Sequence, residues 1–211
     1  MTREQLEHIL RAASGLTNQG RFIVVGSQSI VGAIPNPPGA LGFSAEADIY
    51  PLDAPDLAEL IEGSIGEGSL FHETFGYYAQ GVGPDTAVLP VGWELRLNQV
   101  RDPKTLADGF CLDPMDMAAS KVVAWREKDQ VFLAAMQRHG LLPMRVLRER
   151  VGALPAASLK LYALDQAILL DRIERIGLVP ADLESQLMAI GEEPGSTRSD
   201  CGRFGERKPS G

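Results

Sequence analysis

Between Phe22 and Leu95 the chain has no lysine and no arginine, although ten acids fall in that stretch: Glu46, Asp48, Asp53, Asp56, Glu59, Glu62, Glu67, Glu73, Asp85 and Glu94. Such a segment repels polyanions unless a cation is bound in it. Cysteine is nearly absent. Cys111 and Cys201 are far apart and neither has a second cysteine near it, which argues against a metal knuckle or redox pair and fits a reducing cytosol. The three histidines, His8, His72 and His139, are scattered without ligand spacing. No apolar run approaches the ~20 residues of a membrane span. The opening MTREQLEHIL is amphipathic rather than a signal peptide. The expectation is a cytoplasmic protein with no membrane partner.

What remains is an ordinary globular composition, 45% hydrophobic and 23% charged over 211 residues. A chain of that length buries roughly two thirds or more of its unfolded surface and needs no disulfide to do so. Its formal charge of -8 is unevenly spread: residues 1–43 carry +1, 44–95 carry -10, 96–150 carry +3 and 151–211 carry -2. Most of the ten acids read as solvated surface. Two or three of them suffice to hold a divalent metal.

Residues 2–14 read as a helix, with Thr2 as N-cap, Gln5 three residues on, and Leu6, Ile9, Leu10 and Ala13 on one face. Arg21–Val25 reads as a short buried strand that ends at Gly26, with a helix beginning over Ser27–Val31. A strand follows at Ala45–Tyr50, then a helix over Ala54–Gly63 with Asp53 as its N-cap. Further strands are expected at Phe71–Ala79, Thr86–Leu89 and Trp93–Val100. From the Asp113 cap and Pro114 the period becomes helical, unbroken to about Arg138, and Pro143–Arg150, Ala156–Ile176 and Ala181–Ile190 follow as helices. The fold class is thus α+β: a mixed sheet with flanking helices over 1–112, a helical subdomain over 113–190, and a disordered tail at 191–211.

Three features carry chemistry. A glycine where a strand turns into a helix, Gly26-Ser27, lets a phosphate approach the backbone beside a hydroxyl. Glu46 and Asp48 stand at i and i+2 of a strand, so their carboxylates share a face about 7 Å apart and can converge on one Mg²⁺, which takes few carboxylates and completes its shell with water and phosphate oxygens. A third acid, Glu94, falls on the later alternating stretch, although Arg96 two residues on could equally make it a surface ion pair.

The runs FIVVGSQSIVGAI and AEADIYPLD resemble the Gly-Ser turn and paired-acid motif of the DNA polymerase β-type nucleotidyltransferases. LPVGWELRL and LDPMDMAASKVVAWREKD resemble the minimal nucleotidyltransferases related to the AbiEii-type abortive-infection toxins, and the likeness covers roughly residues 20–136. It implies that Gly26 and Ser27 hold the β- and γ-phosphates of an NTP. It also implies that Glu46 and Asp48 bind Mg²⁺ or Mn²⁺, with Glu94 as third acid. Lys121 would approach the phosphates, and Asp129 would be the acid eight residues on in the same helix. In this pattern an Arg and a Thr often precede the acids, whereas here Phe43-Ser44 do, Ser44 standing for the Thr and nothing for the Arg. The implied activity moves an NMP from an NTP to a tRNA end, a protein hydroxyl or a small molecule, in the setting of a toxin-antitoxin or defence pair with a cognate antitoxin or other partner protein. A degenerate member that binds nucleotide or protein without turnover stays open beside it. A tRNA acceptor would need a basic track, for which the concentrated source is Arg96 to Arg150, with Arg138, Arg145, Arg148 and Arg150 near its end.

Overall fold

The computed structural model describes residues 1–180 and Leu183. The expected 181–190 helix, Leu183 apart, and the expected tail at 191–211 lie outside the described residues. Helix α1 (Arg3–Thr17) is capped as its sequence suggests: the Gln5 N–H donates to Thr2 Oγ1 at 3.3 Å and the Thr2 N–H to Gln5 Oε1 at 2.8 Å. Its apolar stripe is fully buried. Asn18, at φ 53°, ends it in the left-handed conformation that asparagine tolerates.

Strand β1 (Arg21–Val25) runs into Gly26, a single 3-10 turn at Ser27–Ser29 and one turn of helix α2 (Ile30–Ala33). Strand β2 (Glu46–Pro51) and helix α3 (Ala58–Ile65) follow, then helix α4 (Leu70–Phe75) and strands β3 (Tyr78–Gly81), β4 (Asn98–Arg101) and β5 (Asp108–Cys111). The sheet order is β3-β2-β1-β5-β4. β1 is parallel to β5 and β2 to β3, while β1–β2 and β4–β5 are antiparallel. Along β2 the side chains alternate. Ala47 and Ile49 are fully buried on the face that α1 and α3 pack against, whereas Glu46 and Asp48 stand on the other face and keep contact with solvent.

The second half is helical: α5 (Pro114–Ala124), α6 (Glu127–Arg138), α7 (Met144–Gly152), α8 (Ala156–Leu161) and α9 (Gln166–Arg175). Asp113 caps α5, its carboxylate accepting from the Met115 N–H at 2.9 Å. α5 packs on α2, the 27–29 turn, α6, α7 and α9, so the helical half closes over the end of β1 where Gly26 lies. One apolar core runs from α1 through the sheet to Ile176. The α+β reading with a mixed sheet and flanking helices is the architecture observed.

Several local expectations are corrected. The alternating Phe71–Phe75 forms helix rather than strand, because Ser69 caps it through the His72 N–H at 3.1 Å and Gly76, at φ 72°, closes it. Thr86 lies in a 3-10 turn, Pro84–Thr86, and no strand forms over 86–89. Trp93–Arg96 is a 3-10 turn entered through Gly92, so the strand expected from Trp93 begins at Asn98. The sequence predicts no strand over 108–111, which carries no strong pattern, yet β5 forms there. The long helix from Asp113 breaks at Trp125, φ 54°, and Ala156–Ile176 breaks at Ala163, also φ 54°. Asp53 caps nothing. It accepts from Arg21 Nε and Nη2 at 2.9 and 2.6 Å, and Ala54 precedes the 3-10 turn at Pro55–Leu57.

Candidate functional site

The antiparallel register of β1 and β2 sets Val25 beside Asp48, so Asp48 stands at the end of β1 where the chain leaves through Gly26. Gly26 has φ +65°, and a Cβ there would collide with the Asp48 carboxylate. Only glycine allows the turn and the acid to occupy this space together. Glu46 and Asp48 share one face, as their i, i+2 spacing requires, and Ser44 pins the start of the strand, its Oγ accepting from the Glu46 N–H at 3.2 Å. Burial pushes the Asp48 carboxyl up to about 7 and the adjacent Glu46 adds to the rise, against the pull of Lys128 and Lys121.

From β3, Tyr78 and Gln80 lie beside Glu46 and Asp48 in register. The Tyr78 hydroxyl donates to Glu46 Oε2 at 3.4 Å. Burial, then Glu46, raise the Tyr78 hydroxyl well above its ordinary pKa. With its NH₂ end toward the acids, Gln80 donates to Glu46 Oε1 and, at 3.2 Å, to Asp48 Oδ1. Among the described residues no group of three or more His, Cys, Asp and Glu side chains is arranged to hold a metal ion. The donors gathered here are two carboxylates with an amide between them. Carboxylates are hard oxygen donors, of the kind a hard dication takes in small number together with water and phosphate oxygens. The residues therefore fit Mg²⁺ or Mn²⁺.

Lys121 reaches this corner from α5. Its Nζ donates to Ser27 Oγ and to Asp129 Oδ1, each at 2.9 Å, and lies 4.7 Å from the centre of the Phe132 ring. Burial lowers its pKa while Asp129 works to raise it. Asp129 is itself fully buried at the start of α6. Its Oδ2 accepts from the Arg126 N–H at 3.2 Å and from Arg126 Nε at 2.7 Å. Burial alone would raise the Asp129 carboxyl, but Lys121 and Arg126 outweigh it and hold it below the ordinary range.

The break at Trp125 makes this possible. The left-handed residue ends α5, its N–H donating to Lys121 O at 2.8 Å, and α6 restarts with Arg126 and Lys128 near the acids. Arg172 of α9 completes the joint: Nη1 donates to Val122 O and Val123 O at 2.9 and 2.7 Å, and the guanidinium stands 5.7 Å from the Trp125 ring. Arg126 feels the charge of Asp48 and Glu46, and Lys128 that of Asp48. The basic residues missing from 22–95 are thus supplied by α6. The unbroken helix expected from Pro114 to about Arg138, with Lys121 and Asp129 in it together, does not describe this, because Trp125 at φ 54° divides it into α5 and α6.

Of the sequence-derived candidates, Gly26, Ser27, Glu46, Asp48, Lys121 and Asp129 come together. Glu94 stands off the pair on the exposed 3-10 turn, and its charge is felt at Tyr50, two residues past Asp48 on the same face of β2. Arg96 does not pair with Glu94. It makes a two-pronged ion pair with the fully buried Asp116, Nε to Oδ2 at 2.7 Å and Nη2 to Oδ1 at 3.1 Å, where Arg150 Nε also arrives at 3.0 Å. Of the basic track, Arg145 pairs with Glu149 and Arg150 with Asp116. Gln80 was missed because an amide carries no charge signal. The alternation Tyr78-Ala79-Gln80 after Gly76 was the available cue.

No helix among the described residues is long and apolar enough to cross a membrane. No curated protein and no solved structure matched the chain. The family model described as "Nucleotidyltransferase of unknown function (DUF6036)" matches residues 4–159, most of the chain, and the protein belongs to that family.

Proposed function

We propose that the protein is a divalent-metal-dependent nucleotidyltransferase that moves an NMP from an NTP to an acceptor hydroxyl. One observation carries this reading: the Gly26-Ser27 turn, the Glu46/Asp48 pair and Lys121, which donates to Ser27 from 94 residues away, occupy one corner at the end of β1. Each part suits a different portion of a nucleoside triphosphate. Gly26 leaves the backbone bare for a phosphate, Ser27 offers a hydroxyl, and Arg126 and Lys128 supply positive charge from α6. Glu46 and Asp48 would hold the metal ion, which when bound offsets the charge gathering on the phosphate oxygens and on the departing pyrophosphate.

In the transfer the acceptor oxygen bonds to the α-phosphorus in line with the bond that breaks. Pyrophosphate leaves with the electron pair of that bond, and the hydroxyl proton passes to solvent. The chain's own task is positional: Lys121 fixes Ser27, Asp129 fixes Lys121 and Arg126, and the buried floor of β1 and β2 holds the acids still. The acceptor class, whether a tRNA end, a protein hydroxyl or a small molecule, and a place in a toxin-antitoxin pair belong to the same proposal.

The test is equilibrium binding of labelled NTPs with Mg²⁺, followed by incubation with candidate acceptors. Wild-type protein should bind NTP in a Mg²⁺-dependent way, and Asp48→Ala should weaken that binding by at least about tenfold, no less than the loss of a residue that merely supports a metal ligand costs. Equal binding by the two proteins overturns the reading. Binding lost in Asp48→Ala, with no acceptor labelled by the wild type, identifies a nucleotide-binding member without turnover.

A further inference from the structure

We infer that Gln80 is the third arm of the carboxylate site, turning its amide oxygen onto the cation that Glu46 and Asp48 hold. The inference rests on the metal-dependent reading above and adds a residue to it. Parallel pairing of β3 with β2 fixes Gln80 beside Asp48, and the half-buried side chain extends across both acids rather than out into solvent. Its neighbours leave little freedom. Tyr78 closes the Glu46 side and Val25 lies on the far side of Asp48.

A glutamine is suited to this place by its two unlike ends. The terminal amide rotates about a broad, nearly two-fold torsion, and a half turn exchanges NH₂ for C=O with little change of shape. Without a cation the NH₂ end faces two carboxylates and bridges them, donating to Glu46 Oε1 and to Asp48 Oδ1 at 3.2 Å. With a cation between the acids, an NH₂ group there would meet positive charge, whereas the carbonyl oxygen would meet a hard acceptor of oxygen ligands. The same side chain therefore satisfies the pair in both states. No third carboxylate is grouped with the two among the described residues, and Glu94, the sequence candidate for that place, stands off on its 3-10 turn.

Mn²⁺ affinity separates this role from a purely structural one, because the two have opposite signs. If Gln80 only bridges the acids, its NH₂ group competes with the ion, and Gln80→Ala should bind Mn²⁺ as tightly as wild type or more tightly. If Gln80 supplies an oxygen, Gln80→Ala should bind about tenfold more weakly, while Gln80→Glu, which keeps an oxygen and loses the NH₂, should bind at least as tightly as wild type. The measurement is calorimetric or paramagnetic titration with Mn²⁺ alone. Unchanged or tighter binding by Gln80→Ala overturns the assignment while leaving the metal site standing. Absence of wild-type binding that Asp48→Ala removes would sink the site and this inference together.

A second measurement needs no variant at position 80. In glutamine-¹⁵N-labelled wild-type protein the Gln80 NH₂ resonances should lose their carboxylate-bonded shift when Mg²⁺ is added, and should not respond in Asp48→Ala. An NH₂ group that stays hydrogen-bonded to the acids at saturating Mg²⁺ overturns the proposal.

Discussion

Asp48 keeps its proton at pH values where an aspartate in water has lost it, since burial and then Glu46 raise its carboxyl to about 7. In the unfolded chain the same group titrates near 3.9. The folded state therefore keeps the proton longer, and this group's contribution to stability is full below about pH 4 and is lost as pH rises through about 7. In EDTA the wild-type protein should lose stability across that window by up to about 1.4 kcal/mol per pH unit from this group. Asp48→Asn, which cannot ionise, should show a flatter profile in urea unfolding at pH 5, 6 and 7. Identical slopes for the two proteins would mean that Asp48 titrates as it does in water. At this scale the sequence was informative wherever a local pattern fixed the geometry. Two acids at i and i+2 of a strand must share a face, and a glycine at its end must leave the turn open. Gln80 was invisible because its role comes from a strand pairing 32 residues away in the chain and from an uncharged side chain.

Elements are where the expectations met most resistance, and the reason is the left-handed residue. Trp125 and Ala163 each end a helix at φ 54°, a conformation for which glycine or asparagine is the usual signal. Without that signal, 114–138 and 156–176 read as unbroken. At Trp125 the cost is offset by the Lys121 carbonyl and Arg172, and the break delivers Arg126 and Lys128 to the acids. At Ala163 the side chain is exposed and no comparable joint depends on it. The Ala163 and Leu164 N–H groups donate to Lys160 O and Leu159 O at 3.1 and 3.0 Å, a closure that glycine makes without strain. Ala163→Gly should relieve about 1–2 kcal/mol of backbone strain and return roughly half of it as unfolded-state entropy. The expected net gain is up to about 1 kcal/mol, or a rise of about 2–4 °C in Tm at this chain length, read by thermal denaturation. A fall in Tm would show that the 163 turn is not strained.

Across the whole molecule, the uneven charge spread resolves into position. Acids on β2 face bases on α6, and the loop that carries Glu94 is tied to the helical half by buried charge. Asp116 on α5 joins Arg96 of that loop to Arg150 of α7, and the Val91 N–H donates to Ala153 O at 3.0 Å beside it. Asp116→Ala would leave two guanidinium groups facing each other over a cavity. Because both arginines keep some contact with water, the cost should lie near the low end for broken buried pairs, about 3 kcal/mol. Thermal denaturation should then show Tm lowered by roughly 6–12 °C, and an unchanged Tm would assign the cluster to the solvated surface.

The Lys121–Ser27 contact spans 94 residues, and that separation has a meaning for the order in which the molecule comes into being. During synthesis the turn and both acids leave the ribosome well before α5 and α6 exist to face them. Contacts of such long range form late, after the entropy of a large loop has been overcome. The nascent N-terminal half is therefore an anionic sheet without its cationic lid. The corner that joins Ser27, Lys121 and Asp129 is complete only once the chain has been made past Asp129 and has closed back on its own beginning.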